Sequence, residues 1–390
     1  MSGSINYFIA LLISMLLLAA CNTEEGIIVQ EAPSFVRIIP GESNDNVPIQ
    51  LITLSNNDLL IVANSSSFID AESVSKIRLI RMTLAGEKVY DLSYPADETT
   101  SWSAVDVVYV NDGQIIIGGN TDDNAMLLIS VNANGELISQ KNDYPNASSF
   151  ISISKDDSDA IIALSVSPSN EELIYTIAPA DLSIVTNALA ASTGRQLPEQ
   201  PTSEILLKDD KMIYAINDII NYVSFDEEET ADVDASLSVI DADALSVKFI
   251  LNDEDAEQSM AFGELRNGNL TQLFSAPSFP SKEITATNFY VQSGNATRSL
   301  ESARNLQGGF LLSGSTERPD ASSNFLLIKT DAQGKSIFTQ VFGAAETENA
   351  LYDALEIENS IYAVGTTNFD GGASSFIVLF KMDVNGRLLN

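Results

Sequence analysis

The sequence predicts an all-β fold, a β-propeller of seven four-stranded blades over residues 34–390, with six or eight blades as alternatives. Three observations support this fold: a strand pattern that repeats along the chain, a glycine turn that recurs inside the repeats, and a lone strand before the first repeat. Seven blades leave about 51 residues for each blade and eight leave about 45, near the period of propeller repeats.

The clearest repeats contain a short apolar run that ends in small or hydroxyl-bearing residues, as a buried strand does. Four such runs begin at Leu59, Gln114, Phe310 and Ile361. After a polar segment and a second apolar run, each repeat reaches a four-residue turn. These turns end at Gly86, Gly135, Gly334 and Gly386. Glycine supplies the positive φ of a tight hairpin, so each repeat contains at least two consecutive hairpins.

An alternating strand and a turn precede each apolar run, and a fourth strand follows the glycine turn, which completes a four-stranded blade. Weaker units are expected at 147–190, 201–253 and 256–298. In the second of these, Asp241–Ala244 replaces the glycine turn.

A lone strand at Ser34–Ile39 has no blade of its own. Because an unpaired edge strand invites association with other chains, we expect this segment to pair beside residues 376–382 and to close the ring. An open solenoid is the alternative, and it would require polar caps at both ends.

The amino-terminal region contains an apolar run from Tyr7 to Ala20, followed by the only cysteine, Cys21. Leu18–Cys21 resembles the lipobox of bacterial lipoproteins, although residues 1–20 contain no lysine or arginine. The resemblance implies that residues 1–20 are a signal peptide, that Cys21 carries the lipid, and that residues 21–33 are a tether. A secretory leader followed by an incidental cysteine is the alternative.

Two carboxylates follow the cysteine closely, at Glu24 and Glu25. Thr23–Glu25 resembles the acidic export signal of Bacteroidetes-type surface lipoproteins. That resemblance implies a lipid-anchored protein of the outer membrane, exposed at the cell surface. A solvated tether without a signal explains the same residues equally well.

The repeat pattern, clearest at 103–144 and 298–390, resembles the repeats of secreted and surface propeller proteins of Bacteroidetes-type bacteria. Such proteins are mostly binding or accessory components, and the residues that carry the resemblance are structural. The resemblance therefore implies a binding module and assigns no catalytic residue.

Composition excludes several functions. The net charge of −34, from 54 acidic and 20 basic residues, repels nucleic acids. The absence of histidine excludes catalytic triads and most transition-metal sites, and a lipidated lone cysteine leaves no cysteine nucleophile. An enzyme built from this chain would have to use carboxylates, Tyr, Lys or Arg.

Candidate binding residues lie in the longer connections, which should share one rim of the propeller, opposite the rim of tight hairpins. They are Trp102, Asp122, Asp123, Asp226, Glu227, Glu228, Glu229, Asp232 and Asp234. The acidic segment Asp226–Asp234 is either a solvated loop, a dock for a basic partner or a Ca²⁺ site, although it lacks the calcium-loop spacing. No other cofactor is predicted. Trp102 either stacks on a sugar ring or packs between blades.

Two function classes remain. The first is a non-enzymatic binding or scaffolding module for a protein complex of the outer membrane or for an extracellular glycan. The second is a carboxylate-dependent glycosidase or polysaccharide lyase with its site in the central funnel. Asp106, Glu204 and Asp353 are the carboxylates near the positions that such an enzyme would use.

Overall fold

The computed structural model describes residues 34–388 except 42–44, 70–71, 111–112, 157–158, 186–205, 209–210, 217–218, 225–234, 239–243, 253–258, 268–269, 278–282, 286–287, 291–296, 318–321, 345 and 369–373. These residues form 28 strands in seven sheets. The sheets are numbered in chain order, and the sheet that contains β1 is numbered last because its other strands are β26, β27 and β28. In the described part, no helix is long and apolar enough to cross a membrane.

Sheets 1, 2 and 6 are four-stranded and antiparallel, and their strands follow one another in sequence. Sheet 1 contains β2 (Asp45–Thr53), β3 (Leu59–Ile69), β4 (Glu72–Met82) and β5 (Lys88–Tyr94). Sheet 2 contains β6 (Trp102–Val110), β7 (Gln114–Thr121), β8 (Met126–Asn132) and β9 (Leu137–Lys141). Sheet 6 contains β22 (Thr297–Leu306), β23 (Gly309–Glu317), β24 (Ser323–Asp331) and β25 (Ser336–Phe342).

Sheet 7 joins the two ends of the described chain. It contains β26 (Glu348–Ile357), β27 (Ser360–Asn368) and β28 (Phe376–Asp383), and its outer strand is β1 (Phe35–Ile39). β1 pairs antiparallel with β28, with Phe35 opposite Lys381 and Ile39 opposite Ile377. The predicted pairing of the amino-terminal strand with residues 376–382 is therefore confirmed.

The middle sheets are less regular. Sheet 3 contains β10 (Ser149–Lys155), β11 (Ile161–Val166) and β12 (Glu172–Ile177). Sheet 4 contains β13 (Leu206–Lys208), β14 (Lys211–Ile216), β15 (Ile219–Ser224), β16 (Ala235–Ser238) and, parallel to β16, β20 (Glu283–Thr285). Sheet 5 contains β17 (Ala244–Asn252), β18 (Ser259–Asn267), β19 (Leu270–Pro277) and β21 (Asn288–Tyr290).

The prediction of seven four-stranded blades is wrong in its strand count. Six sheets contain four or more strands, whereas sheet 3 contains three. Beyond β12 the chain turns back at Ala178–Ser183, and its described residues, which end at 185, form one bridge, Ile177 with Ile184, where a fourth strand was expected. The expected unit 201–253 is also wrong in its end, because Ala244–Asn252 forms the first strand of sheet 5.

Consecutive sheets pack face to face through apolar clusters. Each of the seven clusters of the described residues lies between two neighbouring sheets, and one of them joins sheet 7 to sheet 1 through Tyr362, Leu379, Leu59 and Ile61. The first strand of every sheet also contacts the first strand of the next sheet around the ring. The described residues between 34 and 388 thus form a closed all-β propeller.

The recurring glycine turn connects each regular sheet to the sheet before it. Gly135 has a φ of 79° and lies against Tyr90 and Leu92 of β5, and its carbonyl accepts a hydrogen bond from the Tyr94 hydroxyl. Gly334 accepts an equivalent bond from the Tyr290 hydroxyl of sheet 5. The glycine thus permits both the turn and the close approach to an aromatic strand.

Six of the seven first strands, all except β13 of sheet 4, share a second feature, a β-bulge, in which one residue is inserted into the register with the second strand. In sheet 2 the register shifts between Ala104 and Asp106, and the same shift occurs in sheets 1, 3, 5, 6 and 7. The inserted residues are Ile49, Val105, Ile151, Lys248, Glu301 and Tyr352. A bulge aims the inserted side chain away from the regular alternation, which makes these positions candidates for function.

Candidate functional site

The tight first and third hairpins share one rim of the propeller, as the sequence predicts, but the opposite rim is not formed by long loops throughout, because the second hairpins of sheets 2 and 3 are also tight turns, at 121–125 and 167–171. The first and third hairpins of the regular sheets are tight, as at 54–58 and 83–87 of sheet 1, and they lie on one rim because the strands are antiparallel. The second hairpins and the connections between sheets lie on the opposite rim, called here the long-loop rim. One connection is shorter than expected, because most of Ser65–Ser75 belongs to β3 and β4.

A polar cavity of about 470 Å³, called here the rim pocket, opens on the long-loop rim where sheets 6, 7 and 1 meet. Its lining includes three carboxylates, from Asp45, Glu301 and Glu348, and one aromatic ring, from Tyr352. Serine, threonine and asparagine provide most of the remaining wall, and none of the lining residues that the structure describes is a lysine or an arginine. The cavity is therefore negatively charged and rich in hydrogen-bonding groups.

Two bulges place the most distinctive groups of the rim pocket. Glu301 is the inserted residue of β22, and Tyr352 is the inserted residue of β26 in the neighbouring sheet. Both side chains line the cavity. The same local irregularity, repeated in adjacent sheets, therefore places a carboxylate and a phenol in one cavity.

The wall of the rim pocket is held by asparagine side chains that connect neighbouring sheets. Asn349 of β26 donates from Nδ2 to the Ser323 carbonyl at 2.7 Å, and its backbone N–H donates to the Ser323 hydroxyl at 2.8 Å. Asn46 of β2 makes the same two bonds to Ser375, at 2.9 and 2.7 Å. Each asparagine thus binds the neighbouring sheet through both its backbone N–H and its side-chain amide, so the pocket wall is held in position before a ligand binds.

Tyr352 keeps its proton at neutral pH. Burial raises the pKa of Tyr352, the negative charge of Glu301 raises it further, and a hydrogen bond with Thr366 only partly opposes this shift. The phenol can therefore both donate and accept a hydrogen bond in the cavity.

Asp353 and Asp106, which the enzymatic alternative requires, are buried between sheets. Asp353 is fully buried and accepts hydrogen bonds from the Leu51 backbone N–H at 2.8 Å and from Nε of Arg304 at 2.9 Å. Its partners thus come from sheet 1 and sheet 6. The carboxylate connects three consecutive sheets.

Asp106 has the equivalent place between sheets 2 and 3. It accepts hydrogen bonds from the Ile153 backbone N–H at 2.9 Å and from the Ser152 hydroxyl at 2.8 Å. Burial raises the pKa of Asp106, while these hydrogen bonds and the charge of Arg304 oppose the shift. Both aspartates follow a bulge, and each also accepts a hydrogen bond from the backbone N–H of the next residue, Val107 or Ala354.

A second cavity of about 400 Å³ lies at the opposite ends of β2, β6, β22 and β26. Its charged lining residues are Arg304 and Glu356, and Glu356 forms an ion pair of 2.5 Å with Lys329. Glu356 is thus the one carboxylate among the described lining residues of this cavity, whereas general acid–base hydrolysis of a glycosidic bond uses two.

The other residues singled out from the sequence are dispersed. Trp102 begins β6 rather than lying in a connection, and with 8% exposure it packs in the cluster between sheets 1 and 2. Asp122 and Asp123 are exposed in the turn between β7 and β8 and do not line the rim pocket. Cys21, Glu204 and the segment Asp226–Asp234 lie outside the described residues.

The described residues contain no group of three or more Asp, Glu, His or Cys side chains that could hold a metal ion. The Ca²⁺ interpretation of Asp226–Asp234 stays a prediction, because that segment is not among them.

Sequence reasoning missed Glu301 and Tyr352. Both residues follow a leucine, in Leu300-Glu301-Ser302 and Leu351-Tyr352-Asp353, and in both triplets the leucine and the third residue are buried. In both strands the alternation breaks directly after the triplet, where Ser302 and Ala303, or Asp353 and Ala354, are both buried, and a polar residue at such a break is the signal that would have located them.

Comparison with known proteins shows the fold and no more. No protein-family description and no curated protein sequence matches the chain. A protein of unknown function from Dyadobacter fermentans is similar in structure, with a TM-score of 0.50 and 10% identity over 89% of this chain and 99% of that one. At such identity, the likeness identifies this chain as a β-propeller protein without assigning an activity.

Two further solved structures resemble the chain more loosely. The WD40 domain of SCAP from fission yeast has a TM-score of 0.42 and 8% identity over 91% of this chain and 99% of that one. Quinohemoprotein alcohol dehydrogenase from Pseudomonas putida has a TM-score of 0.47 and 9% identity over 90% of this chain and 76% of that one.

Proposed function

We propose that the chain is a lipid-anchored, non-enzymatic binding module of the bacterial outer membrane, exposed at the cell surface, that binds an extracellular glycan in the rim pocket. The observation that supports this function best is the cavity itself, which presents carboxylates, hydroxyl groups and one aromatic ring at the mouth of the propeller. Concave sites with a few convergent polar groups are the usual places for small ligands.

The two described carboxylates that the sequence offered for catalysis, Asp106 and Asp353, have structural roles, which favours binding at this point. Asp106 and Asp353 accept hydrogen bonds from neighbouring sheets and are nearly or fully inaccessible. A general acid or nucleophile must contact the scissile bond, and groups occupied in this way do not. We therefore assign these two aspartates to holding neighbouring sheets of the propeller together and not to catalysis.

The lipid anchor rests on the sequence alone, through Cys21 and the apolar run before it. A diacylated or triacylated cysteine supplies the two or more acyl chains that stable anchoring needs. We expect the native protein to fractionate with membranes and the Cys21→Ser variant to become soluble, with mass spectrometry of the mature amino terminus as the direct measurement. A Cys21→Ser protein that still fractionates with membranes would contradict the anchor.

A glycan array probed with the lipid-free mature chain, residues 22–390, tests the binding function. We expect retention of specific oligosaccharides, which are recovered at their original length after prolonged incubation. Shortened oligosaccharides, with shortening lost in Glu301→Gln, would establish the glycosidase or lyase alternative. Retention of a protein complex by the mature chain without any glycan would establish the scaffolding function instead.

A further inference from the structure

We infer that the rim pocket selects sugar units that are uncharged or carry an amino group, rejects units that carry a carboxylate or sulfate, and holds the accepted unit against the ring of Tyr352. This inference rests on the proposed glycan-binding function and names its substrate class. Three independent properties of the cavity support it: its charge, its hydrogen-bonding groups and its single aromatic ring.

Charge determines what the pocket rejects. Asp45, Glu301 and Glu348 line it, and the described part of the lining contains no lysine or arginine. A uronate or sulfate in this cavity would lie close to like charges in a partly desolvated site, where repulsion is stronger than in bulk water. The net charge of −34 on the whole chain adds to this repulsion. We therefore expect acidic oligosaccharides to bind at least about tenfold more weakly than neutral ones.

The hydrogen-bonding groups determine what the pocket accepts. Carboxylates accept hydrogen bonds only, and they therefore complement the hydroxyl and ammonium donors of a sugar. The Ser299 and Ser315 hydroxyls, 3.2 Å apart, lie in the same wall and can donate to or accept from the ligand. A cavity with this mixture suits a polyhydroxylated ligand better than a simple cation.

The aromatic ring gives the ligand a surface to stack on. Tyr352 is the one aromatic residue among the described lining residues, and its bulge position aims it into the cavity from the first strand of sheet 7. The apolar face of a pyranose ring packs on such a ring, as aromatic faces do with other flat ligands. The cavity volume of about 470 Å³ lies within the range of small-ligand sites.

A basic side chain from a protein is the main rival ligand, because it would satisfy the same carboxylates. It would make no use of the hydroxyl-lined wall that the Asn46 and Asn349 hydrogen bonds hold in place. A metal ion is a weaker rival, because no group of three potential ligands is assembled among the described residues. The lining as a whole therefore favours the saccharide.

Isothermal titration of the mature chain with four probes tests this inference: a neutral hexose oligosaccharide, an amino-sugar oligosaccharide, an oligogalacturonate and an oligoarginine peptide. The variants are Tyr352→Ala, Tyr352→Phe and Glu301→Gln. Tyr109→Ala, a tyrosine of the second cavity, is the matched control. Circular dichroism and the melting temperature of each variant show whether the fold is kept.

We expect the neutral and amino-sugar probes to bind and the oligogalacturonate to bind at least about tenfold more weakly. Tyr352→Ala should weaken binding about tenfold, while Tyr352→Phe and Tyr109→Ala should keep most of it, because the ring supplies the contact. Glu301→Gln should narrow the difference between neutral and acidic probes, because one repelling charge is removed.

Equal affinity for the oligogalacturonate would overturn the selectivity, and glycan binding unaffected by Tyr352→Ala would overturn the site while leaving the glycan-binding function in place. Equal losses in Tyr352→Ala and Tyr352→Phe would overturn the stacking role of the ring. Binding of the oligoarginine peptide without any saccharide would overturn both the inference and the proposed function.

Discussion

The regular sheets 1, 2, 6 and 7 and the less regular sheet 3 contact the preceding part of the chain through turns of different sequence. In sheets 1, 2, 6 and 7, a turn that ends in glycine contacts the outer strand of the preceding sheet, as Gly135 contacts Tyr90. In sheet 3, Leu182 occupies the corresponding place. It has a φ of 58°, is fully buried, and its carbonyl accepts a 2.9 Å hydrogen bond from the Tyr144 hydroxyl.

The difference shows which part of the repeat is required. A positive φ and a carbonyl that accepts from a tyrosine are common to Gly135, Gly334 and Leu182; the tyrosine ends the outer strand of the preceding sheet in the first two cases, and in the third it is Tyr144, three residues beyond the end of β9. The turn in sheet 3 is longer, since the Leu182 N–H donates to Ala178 four residues earlier, whereas the Gly135 N–H donates to Asn132 three residues earlier. Sheet 3 thus keeps the positive φ and the hydrogen bond from a tyrosine, but it lacks the glycine by which the sequence reveals the turn in the regular sheets.

Removing β1 should have the largest effect, because it breaks the closure of the regular part. A chain that starts at Pro40 lacks the strand that pairs with β28 and loses Ile39, a buried residue of the cluster between sheets 7 and 1. We expect a loss of several kcal/mol in the free energy of unfolding and increased aggregation through the exposed edge.

The control is a chain that starts at Ser34, which also lacks the leader and tether but keeps β1. Urea unfolding and light scattering compare the two proteins. Equal stability of both would mean that β1 does not close the ring.

Substitution of a turn glycine should have an intermediate effect. A Cβ at Gly86, whose φ is 79°, would lie 2.8 Å from ring carbons of Phe35 in β1. Gly86→Ala therefore combines an unfavourable backbone conformation with a displaced aromatic ring, and we expect a loss of about 2–4 kcal/mol.

Gly308→Ala separates the two contributions. Gly308 has a φ of 78°, but a Cβ there would meet no atom within 4 Å. We expect a loss of only about 1 kcal/mol from the backbone alone. Equal losses at Gly86 and Gly308 in chemical denaturation would contradict the contact between the turn and the preceding sheet.

The sequence predicted the regular sheets because each of their local features agrees with the fold. Apolar runs, turns and glycines there follow one period, and the lone strand at Ser34–Ile39 has one edge to cover. Sheet 3 was predicted poorly because the residue with a positive φ in its turn is Leu182, and a leucine does not indicate that conformation in a sequence. Sheet 4 also takes its fifth strand, Glu283–Thr285, from a distant part of the sequence, which no local pattern indicates.

The rim pocket was located only in part. The rim was predicted, because antiparallel strands fix which hairpins share an end of the propeller. The aromatic residue of the pocket was not predicted, because the sequence singled out Trp102, which packs between sheets 1 and 2, whereas Tyr352 lines the cavity. A bulge shifts the alternation by one residue, and this shift determines which side chain of β26 faces the pocket.

The smallest expected effect is the difference in stability between two substitutions of Leu182. This difference compares the turn of sheet 3 directly with the glycine turns of the regular sheets. Leu182→Ala and Leu182→Gly both remove a fully buried side chain, and each should cost about 2–5 kcal/mol. The two variants differ in the backbone, because alanine keeps the strain of a positive φ whereas glycine relieves it. We therefore expect the glycine variant to be the more stable of the two by about 1 kcal/mol.

This order is the reverse of the usual one, because glycine normally destabilises a folded chain relative to alanine by about 0.5–1 kcal/mol. Ala163 in the neighbouring strand β11, also fully buried, provides the control, since Ala163→Gly should follow the usual order. Urea unfolding of the three variants measures both differences. If Leu182→Gly proves less stable than Leu182→Ala, the turn of sheet 3 does not require the conformation that the glycine turns of sheets 1, 2, 6 and 7 adopt, and the common geometry argued above is wrong.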